Sequence, residues 1–226
     1  MYDKLRLGVL VSGGGTNLQS ILDACEAGKI DAEVAVVISD KAEAYALERA
    51  TKHDVPGVFL GVGRNDTPEY LAADEQQVAV LREHEVGLVC MAGYMRKAGP
   101  AMMQAFADRM LNIHPALLPA FPGVEVQWHA VEYGVRVSGC TVHFADEEFD
   151  RGPIIIQAAV PVLQADDGEA LAKRILRQEH RIYPQAIQWF AEGRLRIEGR
   201  QVVVEGAGDG TWSDGGLISP ALELDL

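Results

Sequence analysis

Apolar residues fall into two patterns along this chain. Compact, largely apolar runs at Leu5–Val11, Ala32–Ser39, 57–60, 86–92 and 109–113 are short, rich in Val, Ile and Leu, and read as strands. Between them the spacing changes. Leu18, Ile21, Leu22 and Cys25 recur at helical intervals, and residues 41–52 carry an Ala- and Leu-rich helical pattern. Thr67 suits a helix N-cap with Pro68 at the first helical position, opening a helix to about residue 84 whose Asp74, Glu75, Gln76 and Gln77 are expected to face solvent. A further helix spans about residues 100–106. This alternation predicts a doubly wound α/β fold with a mostly parallel sheet, the very apolar run 86–92 lying beside the first strand at its centre.

After Pro119 the pattern changes. Ala120-Phe121-Pro122-Gly123 is turn chemistry, and the stretch to Gly134 reads as a mobile connection with a short helix, long enough to act as a lid. Residues 138–144 and 152–160 predict an antiparallel, hairpin-like pair around the acidic turn Asp146-Glu147-Glu148-Phe149-Asp150. Leu171, Ile175, Ile182 and Ile187 mark a long amphipathic helix from Asp167 to about Gly193, bent at Pro184, and residues 195–197 and 202–204 a small terminal hairpin. No linker divides the body, so residues 1–205 are read as one domain and 206–226 as an acidic, Gly-rich tail whose order the sequence leaves open.

Composition narrows the class. A 48% apolar chain of 226 residues can bury a large core, and it has no run of roughly 18 apolar residues and no signal-peptide pattern, so a cytoplasmic location away from membranes is expected. Cys25, Cys90 and Cys140 are odd in number and far apart, which predicts buried thiols rather than disulfides. No metal is expected, because His114, His129, His143 and His180 have no partners at ligand spacing. A net charge of −13 argues against nucleic acid while leaving room for a small anion held by local donors. The oligomeric state, a homodimer included, is left open.

Four places carry chemistry. Ser12-Gly13-Gly14-Gly15-Thr16-Asn17 between a strand and a helix suits a single phosphate; it is neither a dinucleotide fingerprint nor a P-loop. Asn112 and His114 share a face of one strand, an amide for an oxyanion beside an imidazole for a proton, at the strand end where open α/β sheets bind ligands. The basic pair Arg96-Lys97 past a central strand is a candidate for a ligand carboxylate. Asp150, in a turn before Gly-Pro, would orient His114 if that turn folds back towards it.

Three segments occur together in one order: Ser12 to Leu18 after a strand, Asn112 to Gly123, and Asp146 to Ile155. In that order they resemble the phosphoribosylglycinamide formyltransferases, a family of folate-dependent transformylases, and the resemblance covers about residues 5–197. It implies a Rossmann-like fold and transfer of a formyl group from 10-formyltetrahydrofolate to the amine of 5-phosphoribosylglycinamide, a step of purine synthesis. His114 would move protons, Asn112 would stabilise the oxyanion and Asp150 would support His114. The resemblance assigns Gly15, Thr16 and Asn17 to the phosphate and Glu179 to the ribose hydroxyls. It assigns Met95, Arg96, Lys97 and Ala98 to the folate, with Asn112; His143, on the strand before Asp150, is expected to stand behind that acid. The chain also departs from the family. The Arg that reaches the folate tail in relatives falls near Pro68, leaving Arg64 as a replacement by proximity; Leu176, with Arg177 beside it, stands at a position near the phosphate; Glu125 stands where the mobile loop often has His. Alternatives are a 10-formyltetrahydrofolate hydrolase, which shares Asn-x-His and Asp but lacks the phosphate loop, a methionyl-tRNA formyltransferase, which fits less well for want of a basic C-terminal domain, and a non-catalytic phosphate-ligand module.

Overall fold

The structure, a computed structural model, describes residues 4–65, 67–147, 149–213 and 215–226, so Glu148 of the acidic turn lies outside the described residues. The chain forms two compact units, Met1–Asn112 and Ile113–Leu226.

The first unit is the predicted parallel sheet. Its strands are β1 (Leu5–Val11), β2 (Ala32–Ser39), β3 (Gly57–Phe59), β4 (Leu88–Met91) and the start of β5 (Met110–His114), in the spatial order β5-β4-β1-β2-β3. β1 pairs in parallel with β4, Leu7 opposite Leu88 and Leu10 opposite Met91, and with β2 on its other side. A parallel sheet whose crossover helices cover both faces needs apolar residues on both, and Leu7, Val9, Leu10 and Val11 are fully buried. The helices are α1 (Thr16–Glu26), α2 (Tyr45–Lys52), α3 (Pro68–Glu83) and α4 (Pro100–Ala105), α2 starting later than its Ala-rich pattern suggests. At the head of α3 the Thr67 hydroxyl accepts from Tyr70 N, with Pro68 in the first turn.

One expectation for α3 is corrected. Asp74 and Gln77 are buried, not solvent-facing. Asp74 accepts from Gly99 N (3.1 Å), Ala101 N (2.7 Å) and Met102 N (3.3 Å), so a side chain on α3 caps the N-terminus of α4, whose own N-cap residue, Gly99, has no side chain to do so. A Cβ on Gly99 would run into the Asp74 carboxyl group, which makes the glycine necessary. Gln77 donates to the Tyr94 hydroxyl at 2.8 Å.

In the second unit β6 (Val137–Phe144) and β7 (Ile154–Pro161) form the predicted antiparallel pair. A short helix, α5 (Val126–Tyr133), precedes them, and a long one, α6 (Gly168–Ala191), follows, capped by the Asp167 side chain accepting from Ala170 N at 2.8 Å and continuing through Pro184. β8 (Leu195–Glu198) and β9 (Gln201–Val204) make the small hairpin. The segment read as a tail is built into the sheet. β10 (Thr211–Ser213) pairs with β11 (Gly216–Ser219), β11 pairs with β7, Arg194 binds the Glu223 carboxylate at 2.6 and 2.7 Å, and the Gln185 side chain accepts from Glu223 N and Leu224 N.

Candidate active site

In the first unit the glycine loop leaves β1 and enters α1 through Gly15, whose φ of 68° is left-handed and whose Cβ, if present, would lie 2.7 Å from that of Ala46. The amides of Thr16, Asn17 and Leu18 come before the first helical hydrogen bond, from Gln19 N to Gly15 O at 2.9 Å, and therefore point out along the positive end of the helix dipole. Backbone donors arranged in this way are chemically suited to an anion. The Asn17 side chain is buried, whereas Thr16 is exposed.

The segment after β4 is tethered along its length. Ser12 N donates to Gly93 O at 3.1 Å, Met95 N to the Ser12 hydroxyl at 2.8 Å, and the Tyr70 hydroxyl to Lys97 O at 3.3 Å. Burial pushes the Tyr94 hydroxyl up to about 12, so it stays protonated. The basic pair divides. Lys97 is exposed, while Arg96 Nε lies 3.0 Å from Asp40 Oδ2, a carboxylate whose side chain is only 1% exposed. Asp40, at the end of β2, was not legible in the sequence as a partner of residue 96. Met95 is exposed, and Ala98 is buried. Arg64 stands in the loop before α3, its carbonyl accepting from the Thr67 hydroxyl at 2.8 Å and its side chain exposed. Asn112 stands on β5, paired with Met91 of β4.

In the second unit the last residue of β5, His114, is buried between two acceptors. Nε2 lies 2.8 Å from Phe121 O, and because a carbonyl only accepts, Nε2 carries a proton. Nδ1 lies 3.3 Å from Asp150 Oδ2. The same oxygen accepts from Gly123 N at 2.9 Å, so the turn after Pro119 is tied to the acid. His143 Nε2 lies 3.8 Å from Asp150 Oδ1, with Nδ1 donating to Phe144 O at 2.8 Å. Burial first, then the nearby His114, pulls the His143 pKa below its ordinary value, against the opposing pull of Phe144 O and Asp150, which favours a neutral ring behind the acid.

The chain between His114 and Phe121 has its own brace. Thr141 of β6 donates from its hydroxyl to Ala116 O (2.7 Å) and accepts from Leu118 N (3.1 Å), and Gln157 of β7 donates to Leu118 O and to the Thr141 hydroxyl, both at 3.0 Å. Sequence reasoning missed both residues; the one signal is Gln157, the single polar side chain on β7, whereas Thr141 shares β6 with Ser138 and His143. A cavity of about 490 Å³ opens beside Asp150, lined by Leu118, Pro119, Pro122, Arg151, Ile154 and Arg200 among others. Glu179 is buried on α6, and burial first, then the Glu179 charge, raises the Cys140 thiol well above its usual range. Among the described residues no group of three or more His, Cys, Asp or Glu could hold a metal ion, and no helix is long and apolar enough to cross a membrane.

Known proteins resemble this chain in sequence and in fold. The sequence pattern of the family described as formyl transferase matches residues 5–187, four-fifths of the chain. The chain belongs to the formyl transferase family. Within it, this formyltransferase is 44% identical over 202 residues to the phosphoribosylglycinamide formyltransferase of Haemophilus influenzae, covering 89% of this chain and 94% of that protein. It is 41% identical to the enzyme of the same name from Escherichia coli, covering 88% and 92%. Glycinamide ribonucleotide transformylase 1 from Symbiobacterium toebii superposes with a TM-score of 0.86 at 54% identity, covering 90% and 95% of the two chains. A formyltetrahydrofolate deformylase from Pseudomonas syringae pv. tomato has a TM-score of 0.83 at 26% identity, covering 90% of this formyltransferase and 66% of the deformylase. The parallel sheet of the first unit and the mostly antiparallel strands of the second match the Rossmann-like fold of these transformylases.

Proposed function

We propose that this formyltransferase carries the formyl group of 10-formyltetrahydrofolate to the amine of 5-phosphoribosylglycinamide, in the cytoplasm, as a step of purine synthesis. The observation that carries the reading is the His114 imidazole, held with one proton on Phe121 O and its other nitrogen on Asp150, in a chain 44% identical to a phosphoribosylglycinamide formyltransferase.

The amine nitrogen attacks the formyl carbon and a tetrahedral intermediate forms. Asn112, two residues before His114 on β5, donates its side-chain amide to the oxyanion. Collapse breaks the bond from carbon to N10 of the folate. The proton lost by the amine ends on N10, and His114 is the group that moves it, steadied by Asp150. The products are the formylated glycinamide and tetrahydrofolate. No metal takes part in this scheme.

The other assignments follow residue by residue. The amides of Gly15, Thr16 and Asn17 take the substrate phosphate, and Glu179 takes ribose hydroxyls. Residues Met95, Arg96, Lys97 and Ala98 take the folate largely through backbone groups, and Arg64 takes its glutamate tail. The two small molecules are the partners in this reading; nucleic acid and membrane have no part in it, and a homodimer is tested by sedimentation.

The test is formyl transfer by the purified protein, followed by absorbance with and without 5-phosphoribosylglycinamide. Turnover that requires the glycinamide is expected. Equal turnover without it would make the protein a hydrolase, like the deformylase whose fold it shares, and silence with phosphate binding retained would make it a binding module.

A further inference from the structure

The glycine loop is held from one side by α2. The Gly13 carbonyl accepts from Ala46 N at 3.1 Å, and the Gly14 carbonyl accepts from Arg49 Nε at 2.8 Å. A trans peptide points its C=O and its following N–H in opposite directions. Anchoring these two carbonyls therefore turns the N–H groups of Gly14 and Gly15 away from α2. Arg49 is itself fixed: Nη1 donates to Gln19 Oε1 of α1 at 2.8 Å, and the guanidinium lies 5.0 Å from the centre of the Tyr45 ring. Gln19 is tied in turn to Asp23 (2.8 Å) and to His53 Nε2 (2.9 Å), and His53 Nδ1 to Glu26 (2.5 Å). A permanently charged side chain is thus locked against the loop by groups on both helices that follow β1 and β2.

We propose that Arg49 is a positioning residue for the anion loop, setting the direction of the Gly14 and Gly15 amides and keeping a fixed positive charge beside the phosphate monoester of the substrate. The inference rests on the reading of this loop as the phosphate site. Arg49 acts on affinity for the phosphorylated substrate and leaves the folate and the proton transfer alone. It is joined to the loop by one charge-assisted donor, a contact whose loss weakens binding about tenfold or more.

Three variants test it, each checked by thermal melting. Arg49→Met, of similar length but without charge or donor, is expected to raise the KM for 5-phosphoribosylglycinamide and the inhibition constant of inorganic phosphate together, about tenfold or more. Its KM for 10-formyltetrahydrofolate and its kcat stay within about twofold on the same argument. Arg49→Lys, which keeps the charge but not the fork, recovers part of the loss. Thr16→Glu puts an anion on an exposed first-turn position that a helix tolerates well, and it tests the loop reading itself by repelling phosphate. Weakened phosphate binding in Thr16→Glu with none in Arg49→Met would overturn the proposal and leave the phosphate loop standing; no effect in either would overturn both. Equal losses for the two substrates in Arg49→Met, with a lowered melting temperature, would reduce Arg49 to a brace and also overturn it.

Discussion

Asp150 meets His114 from a left-handed backbone. Its φ of 55° sets Oδ2 3.3 Å from Nδ1 of the imidazole, and Phe121, whose carbonyl holds the opposite nitrogen, also has a left-handed φ, of 51°. Both partners of the histidine thus occupy a conformation that costs a side-chain-bearing residue on the order of 1 kcal/mol or more. Such backbone persists where surrounding contacts over-determine it, and here the Gly123 amide bonds the same carboxylate oxygen.

Asn is among the few residues that tolerate this region, so Asp150→Asn changes charge without disturbing the turn. Formyl transfer is expected to fall by about 10²- to 10⁴-fold, with the melting temperature nearly unchanged. Steady-state rates on both substrates check it, and full activity would remove Asp150 from the proton path.

His114→Ala removes the proton carrier but nothing from the glycine loop. Turnover should collapse while titration calorimetry still detects inorganic phosphate at wild-type affinity. Loss of phosphate binding as well would show that His114 shapes the substrate site rather than the chemistry.

The buried His143 gives stability a definite pH dependence. Its folded pKa is lowered from 6.5 by burial, so the unfolded chain binds more protons and stability rises with pH. This contribution is whole above about 6.5 and is lost as the pH falls from there towards the folded value. Urea midpoints at neutral and mildly acidic pH should differ in that direction, and His143→Asn should narrow the difference.

Asp74→Ala strips three backbone donors at the start of α4 of their acceptor. A loss of about 1–3 kcal/mol in unfolding free energy is expected from the missing cap and the unsatisfied amides. Urea titration measures it. A change under about 0.5 kcal/mol would mean that water replaces the carboxylate without difficulty.

Arg96→Ala leaves the Asp40 carboxylate buried without its counter-charge, whereas Asp40→Asn removes the charge that needs one. The arginine variant should therefore be the less stable of the two, and the double variant should recover part of the difference. Additive effects would show that the pair is uncoupled.

What the sequence made legible was local. Alternation of apolar runs and helical spacing located β1 to β5 and the course of α6, and the Thr67 cap located the start of α3 because it is a hydrogen bond between near neighbours. The illegible features are tertiary. Asp74 and Gln77 look like solvent-facing residues until α4 and Tyr94 are placed against them, and Asp40 is a turn residue until Arg96 arrives from another strand end. The approach of Asp150 to His114 spans 36 residues, and no periodicity encodes it; it depends on how one turn folds back. The strands of the C-terminal segment are illegible for a simpler reason. Its Gly, Asp and Ser content is that of a tail, and its two strands are three and four residues long.

That segment decides how the molecule behaves among its neighbours. Residues 217–219 occupy the backbone hydrogen-bonding groups of residues 157–159 on β7, and β10 in turn shields β11. With the chain cut after residue 205, β7 would offer an open row of donors and acceptors beside apolar side chains, the template along which separate molecules add strands to one another. The expected sign of such a cut is self-association that grows with concentration, appearing before any defect in turnover.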